Sequence, residues 1–183
     1  AFGFPERRLP LGMLMAGSTV GRVTSLFAVV PAVSIGRGMT VLYANNNVDD
    51  ERKKHCETLM NAVGQVCWVD NEELMDPVTA VSGSGPAYFF LFIDYLESVA
   101  TEIGIKKSIA KKLVYQTALG SIQLLLSGKH SAQQLKKTIA IKGGTTEAAI
   151  KIFEKNSNFK KIIKKAVKSA YKRSLVLGQK AEK

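Results

Sequence analysis

The sequence predicts a mainly α protein: a helical domain preceded by a partial α/β segment. Three observations predict it. Up to about residue 70, short apolar runs alternate with turn-forming residues, the pattern of strands and helices following one another. From residue 71 onward, the apolar residues recur at helical spacing. Gly83, Gly85, Pro86, Gly104, Gly128, Gly143 and Gly144 then fall at the joints of those helical stretches. The expected domains are therefore 1–70 and 71–183.

The elements follow in order. Residues 1–10 carry two prolines and three charges and read as an irregular lead-in. Residues 11–16 are an apolar run ending at Gly17, a buried strand. Ser18 or Thr19 caps a short helix through Phe27, with Val20, Val23 and Leu26 at helical spacing. Residues 28–33 form a second apolar strand containing Pro31, and 39–44 a third, after the turn at Gly36 and Gly38. Residues 45–50 are a polar loop. Asp49 or Asp50 caps a helix whose core face is Cys56, Leu59, Met60 and Val63, and which stops at Gly64. Residues 65–69 make a short strand. Helices then run roughly over 71–81, 86–103, 107–127, 131–139, 145–155 and 158–177. The clearest stripe is Val114, Ala118, Ile122 and Leu125, with Lys112 on the opposite side. Gly120 lies inside that helix at a cost of about 1 kcal/mol relative to Ala. Its presence predicts close approach of a neighbouring helix.

Composition narrows the function classes. No stretch approaches the roughly 20 apolar residues of a membrane helix, and the apolar region 24–36 is broken by Pro31, Ser34 and Gly36. The first residues show no apolar core behind a basic head, so no signal peptide is expected. The two cysteines, Cys56 and Cys67, match no metal or disulfide spacing and fit a reducing, cytoplasmic compartment. The net charge of +11 is uneven: 7 basic against 11 acidic residues in 1–100, and 19 against 4 in 101–183. Nearly all of the later basic residues are lysine, with few aromatics among them. This favours a solvated helix face over nucleic acid as partner.

Two motifs carry chemistry. The first is Ser82-Gly83-Ser84-Gly85-Pro86-Ala87-Tyr88. Pro86 suits the start of a helix, where its missing N–H costs nothing, and Ser84 offers a capping hydroxyl. The motif reads as a tight turn shaping a pocket floor or as a plain connector; alone, such a turn is more often a connector. The second is Gly143-Gly144-Thr145-Thr146-Glu147. Two glycines running into a helix leave backbone N–H groups free for a carboxylate or phosphate. Thr145 and Thr146 add hydroxyls, and Lys142 adds charge. An ordinary cap, with Thr as N-cap and Glu in the first turn, explains the same residues about as well.

Other constellations are absent from the sequence. There is no Gly-x-Gly-x-x-Gly, and Gly17 to Gly21 has the wrong spacing. A βαβ unit of about 30 residues has no room upstream. Cofactor-binding residues are therefore unassigned. His55 and His130 lack partners at metal or triad spacing, and Glu72, Glu73 and Asp76 read as helix-start charges. No metal site is expected.

Together, Met75 to Phe90, Gln116 to Gly120 and Gly143 to Ile150 resemble the pyrroline-5-carboxylate reductase family, with Gly38 to Ala44 as a further match. The resemblance implies NAD(P)H-dependent reduction of 1-pyrroline-5-carboxylate to proline, with NADPH or NADH as cofactor. It implies a cytoplasmic homodimer or higher oligomer with interlocking helical domains, and no membrane. The helical part becomes a substrate-binding and dimerisation domain, and residues 1–70 a partial Rossmann-like domain without its glycine fingerprint. Gly144 and Thr145 fall on the positions that hold the substrate carboxylate. Thr146 falls on the threonine that hydrogen-bonds the ring nitrogen and takes the catalytic role. Lys142, Gly143 and Ser84 complete the expected substrate contacts. The sequence departs from the family in Ile141-Lys142, where Ser-Pro is usual, and in residues 28–32, which replace the loop near the nicotinamide. The expected function is thus a reductase in truncated form. The alternative is a non-catalytic helical dimer or interaction protein derived from that family.

Overall fold

A computed structural model describes residues 13–16, 23–28 and 30–181. The chain packs as two compact units, residues 1–86 with 167–183, and residues 87–166.

The first unit is built on a four-stranded sheet in the order β1 (Met13–Ala16), β2 (Val23–Ala28), β3 (Gly38–Ala44), β4 (Gly64–Trp68). β1, β2 and β3 pair antiparallel, whereas β3 and β4 pair parallel. A parallel pair needs a crossover, which is the helix α2 (Asp50–Asn61). The Asp49 carboxylate caps this helix, accepting the Arg52 N–H at 2.8 Å. β3 is the centre of the unit. Leu42 and Val48 pack with Cys56 and Met60 of α2 and with Val66 and Trp68 of β4. On the other face, Val41 and Met75 pack with Met39, Tyr43, Val69 and Val78. The alternation along β3 therefore buries both faces, as a parallel-type strand requires. β3 and β4 begin at the facing pair Gly38 and Gly64.

Several expectations change here. Residues 23–27 are strand rather than the end of a helix, because Val23 to Ala28 pair residue for residue with Ala44 to Met39. Tertiary pairing overrides the local apolar spacing. The capping residues Ser18 and Thr19, with Val20, lie outside the described residues. Val30–Val33 is a single helical turn, α1, not a strand. Pro31 has no N–H to give a sheet and fits a first helical turn. Leu59 is 67% exposed, so the core face of α2 is carried by Cys56 and Met60.

The expected helix over 71–81 is broken into three. A 3₁₀ turn, Glu72–Leu74, is capped by Asn71, whose side chain accepts the Glu73 N–H at 2.9 Å. A short helix α3 (Met75–Val78) follows, then a π-helical turn, Thr79–Gly83, closed by the Ser84 N–H donating to the Thr79 carbonyl at 2.9 Å. Asp76 of α3 accepts the Ser174 hydroxyl at 2.5 Å, so the far end of the last helix is tied to this unit.

That last helix is α8 (Asn158–Ala181), the end of a helical series. Before it come α4 (Gly85–Glu102), α5 (Lys107–Leu126), α6 (Ala132–Ile139) and α7 (Thr145–Glu154). Ser131 and Gln134 form a capping box at the start of α6. Within the second unit, Lys136 of α6 pairs with Glu154 at the end of α7, and Phe153 meets Phe159 with ring centroids 5.4 Å apart.

Little of the second unit is buried. Among its described residues, Ala110 and Val114 on α5 are the buried hydrophobics. The stripe on α5 continues through half-buried Ala118 and Leu125, but Ile122 is exposed. Phe89, Phe90, Tyr95 and Leu96 on α4, with Leu119 and Leu126 on α5, also lie exposed. Beyond the backbone of its own helix, no described atom lies within 4 Å of where a Cβ on Gly120 would stand. The close approach expected at Gly120 is therefore not made among the described residues.

Candidate functional site

The second motif forms the candidate site. α6 ends at Ile139, and the chain reverses in a turn in which the Gly144 N–H donates to the Ile141 carbonyl at 3.0 Å. Gly143 occupies the third position of this turn at φ +77°, a conformation that glycine takes without strain. Gly144 is the N-cap of α7, and its carbonyl accepts the Ala148 N–H at 3.2 Å. A Cβ on Gly144 would stand 3.1 Å from the Ile141 carbonyl oxygen, so the close turn favours glycine there too.

No side chain caps this helix start. Thr145 is the first helical residue rather than the N-cap that an ordinary cap required. Like any α-helix, α7 leaves its first N–H groups without partners one turn back, and they carry the positive end of the helix dipole. Thr146 is half-buried, while Thr145 and Lys142 are exposed. Residues 142–146 thus come together as one continuous turn. Ser84, which follows the π-helical turn and precedes α4, belongs to the other compact unit.

Glu147 is the residue whose role the sequence did not reveal. Its carboxylate accepts the Gly143 N–H at 2.9 Å, with the same oxygen 3.2 Å from the Lys151 ammonium. The Gly143 hydrogen bond, and then the one from Lys151, hold its carboxyl below the usual carboxylate range. A capping-box Glu would take the N–H of the N-cap itself. Glu147 reaches one residue further back. The only cue in the sequence was a Glu in the first turn, which the ordinary cap explained equally well.

The parallel crossover in the first unit is the place where a dinucleotide would sit in such a sheet. Such a cofactor sets its pyrophosphate on a glycine-rich helix start with free N–H groups. At α2, Asp49 already takes the Arg52 N–H, and Asp50 and Glu51 fill the first turn. Three carboxylates at that end oppose a pyrophosphate, so the described crossover does not fit one. Among the described residues, no cluster of His, Cys, Asp or Glu is arranged to hold a metal ion. No helix among them is long and apolar enough to cross a membrane.

Comparison with known proteins gives this geometry its context. The family model described as pyrroline-5-carboxylate reductase dimerisation matches residues 72–177. The pyrroline-5-carboxylate reductase of Pseudomonas aeruginosa is 39% identical over 143 residues, covering 78% of this chain and 52% of the relative. That of Synechocystis is 37% identical over 175 residues, covering 91% and 65%. Among solved structures, the pyrroline-5-carboxylate reductase of Coxiella burnetii superposes with a TM-score of 0.79 at 37% identity, over 85% of this chain and 56% of that one. The Plasmodium falciparum pyrroline carboxylate reductase, with NADP bound, gives 0.79 at 33% identity, over 88% and 64%. The chain thus spans about half to two-thirds of the length of these relatives. The glycine-paired start of α7 lies inside the matched region, and so does the helical series whose apolar faces stand open. With more than half of its residues matched to that model, the chain belongs to the pyrroline-5-carboxylate reductase family.

Proposed function

We propose that this chain is the substrate-binding and dimer-forming part of a pyrroline-5-carboxylate reductase, which reduces 1-pyrroline-5-carboxylate to proline with NADPH or NADH. The start of α7 carries the reading: an uncapped helix N-terminus behind two glycines, beside a half-buried threonine. A carboxylate is the ligand that unpaired N–H groups and a helix dipole favour. The Gly143 and Gly144 N–H groups already donate within the turn, so the donors it offers are those of Thr145 and Thr146. Gly144 lets a ligand approach the backbone closely, and Lys142 adds positive charge. When the C=N bond is reduced, the ring nitrogen gains a proton. The Thr146 hydroxyl hydrogen-bonds that nitrogen and supports the protonation. The dinucleotide supplies the hydride in the family's reaction, and no described residue is assigned to it.

A second copy of the chain covers the exposed apolar faces of α4 and α5 and fills the space beside Gly120. Single helices that present Phe89, Phe90 and Leu119 to water would otherwise leave a patch far beyond what monomers tolerate.

The test is Thr146→Ala. It should weaken L-proline binding about tenfold, the loss of one hydrogen bond to a charged group, while sedimentation still finds a dimer. Dissociation of the dimer by this change would make Thr146 structural and overturn its assignment. The acid-filled start of α2 favours a second reading, a helical dimer that binds proline-like carboxylates without catalysing the reduction. Oxidation of NAD(P)H by this chain in the presence of pyrroline-5-carboxylate separates the two: turnover removes the second reading, and none supports it.

A further inference from the structure

We infer that Glu147 is a positioning residue: its carboxylate closes the Gly143 turn and so holds the free N–H groups of α7 ready for a carboxylate ligand. The inference rests on the reading of this turn as the carboxylate seat. The geometry behind it has three parts. Gly143 stands at φ +77°, and outside its chain neighbours no described atom lies within 4 Å of where its Cβ would be. Two hydrogen bonds fix the turn: the Gly144 N–H to Ile141, inside the turn, and the Gly143 N–H to Glu147, from the helix. Lys151, one turn further along α7, meets the oxygen that Gly143 uses, at 3.2 Å.

Glu147 therefore does two things. It ties the incoming strand of the turn to the helix, which fixes how the first turn of α7 faces outward. It also occupies the Gly143 donor, so a ligand carboxylate meets the N–H groups of Thr145 and Thr146 instead. A carboxylate beside an anion site would repel the ligand. The Lys151 ammonium, on the same oxygen, offsets that charge and lets the arrangement coexist with a bound acid. Both contacts favour the charged carboxylate, which holds the Glu147 carboxyl below its usual range. This role differs from a capping box, which serves the helix alone.

Two variants of the whole chain test it, read by amide exchange of Gly143 and by L-proline affinity. Glu147→Gln keeps an oxygen that accepts from Gly143 but removes the charge. Glu147→Ala removes both. The expected result is that Ala speeds Gly143 exchange and weakens proline binding, each by about tenfold, as loss of a charge-assisted hydrogen bond implies. Gln should keep both within about threefold of the parent, since a neutral bond remains. The inference is overturned if Ala leaves Gly143 exchange unchanged. It is also overturned if exchange rises while affinity holds, which would make Glu147 structural only, or if Gln and Ala behave alike. Absence of proline binding by the parent chain would sink the carboxylate-seat reading itself. The exchange of Gly143 would then still decide whether Glu147 closes the turn.

Discussion

Substituting Gly64 by Ala should unfold the first unit more readily than any other single methyl added to its described glycines. An ideal Cβ on Gly64 would stand 2.0 Å from the Gly38 carbonyl oxygen, 2.5 Å from its nitrogen and 2.6 Å from its carbonyl carbon. Ordinary contact begins at 3.4 Å. All three neighbours are backbone, in the strand that pairs with Gly64, so relief requires the two strands to separate by more than about 1 Å. Strand spacing is fixed near 4.8 Å by the ladder, and the ladder would break at its first rung. Overpacking against backbone of this kind costs about 3 kcal/mol. Gly38→Ala is the calibrating control: its Cβ would meet Val33 Cγ2 at 2.7 Å and the Val63 carbonyl oxygen at 3.0 Å, a milder overlap with backbone, and its cost should be about 2 kcal/mol. Gly36→Ala meets nothing within 4 Å but sits at φ +66°, and about 1 kcal/mol of backbone strain is expected there. The assay is urea unfolding followed by the fluorescence of Trp68, the single tryptophan, which packs beside Leu42 and Val48. Protein concentration is held constant, because association shifts the midpoint. A midpoint for Gly64→Ala equal to the parent's, or a Gly36→Ala cost above that of Gly64→Ala, would refute the reasoning.

Three other outcomes follow from single residues. Thr40 is wholly buried, and its hydroxyl has no hydrogen-bond partner among the described residues, so Thr40→Val should raise stability by about 1 kcal/mol in the same urea assay. Asn156 and Ser157 hold φ +53° and +54° in succession, and Ser157→Gly should stabilise the junction between α7 and α8 by about 1 kcal/mol, read as a rise in thermal midpoint. The carboxyl of Glu147 titrates below its ordinary value of 4.5, so its contribution is fully present above that value and is lost as pH falls through the lowered one. Gly143 amide protection should fall over the same acid range, and in Glu147→Gln it should lose this pH dependence.

The helical half was legible because its signals are local. Apolar spacing marked α5, and Gly128 marked the joint before α6. The glycines at 143–144 marked the uncapped turn before α7. The α/β half resisted for the opposite reason. Val23 to Ala28 has helical spacing at Val23 and Leu26, yet forms a strand because β3 lies beside it in space, a fact no local pattern records. Pro31 was set in a strand, although its missing N–H argued for a helical turn. The break between α3 and α4 turned on one hydrogen bond that spans five residues, from Ser84 to Thr79. Gly120 was read as the site of a neighbouring helix's close approach, and among the described residues no such neighbour stands beside it. In the site, residues 142–146 were legible as a group. Glu147 was not, because a first-turn Glu looks the same whether it caps its own helix or holds the turn before it.

The most direct test of the carboxylate seat is to titrate this chain with L-proline and follow every backbone amide by NMR. Saturable shifts should centre on Thr145 and Thr146, the donors left open at the start of α7, and be lost or markedly weakened in Thr146→Ala. Shifts centred elsewhere, or none at saturating proline, would contradict that seat.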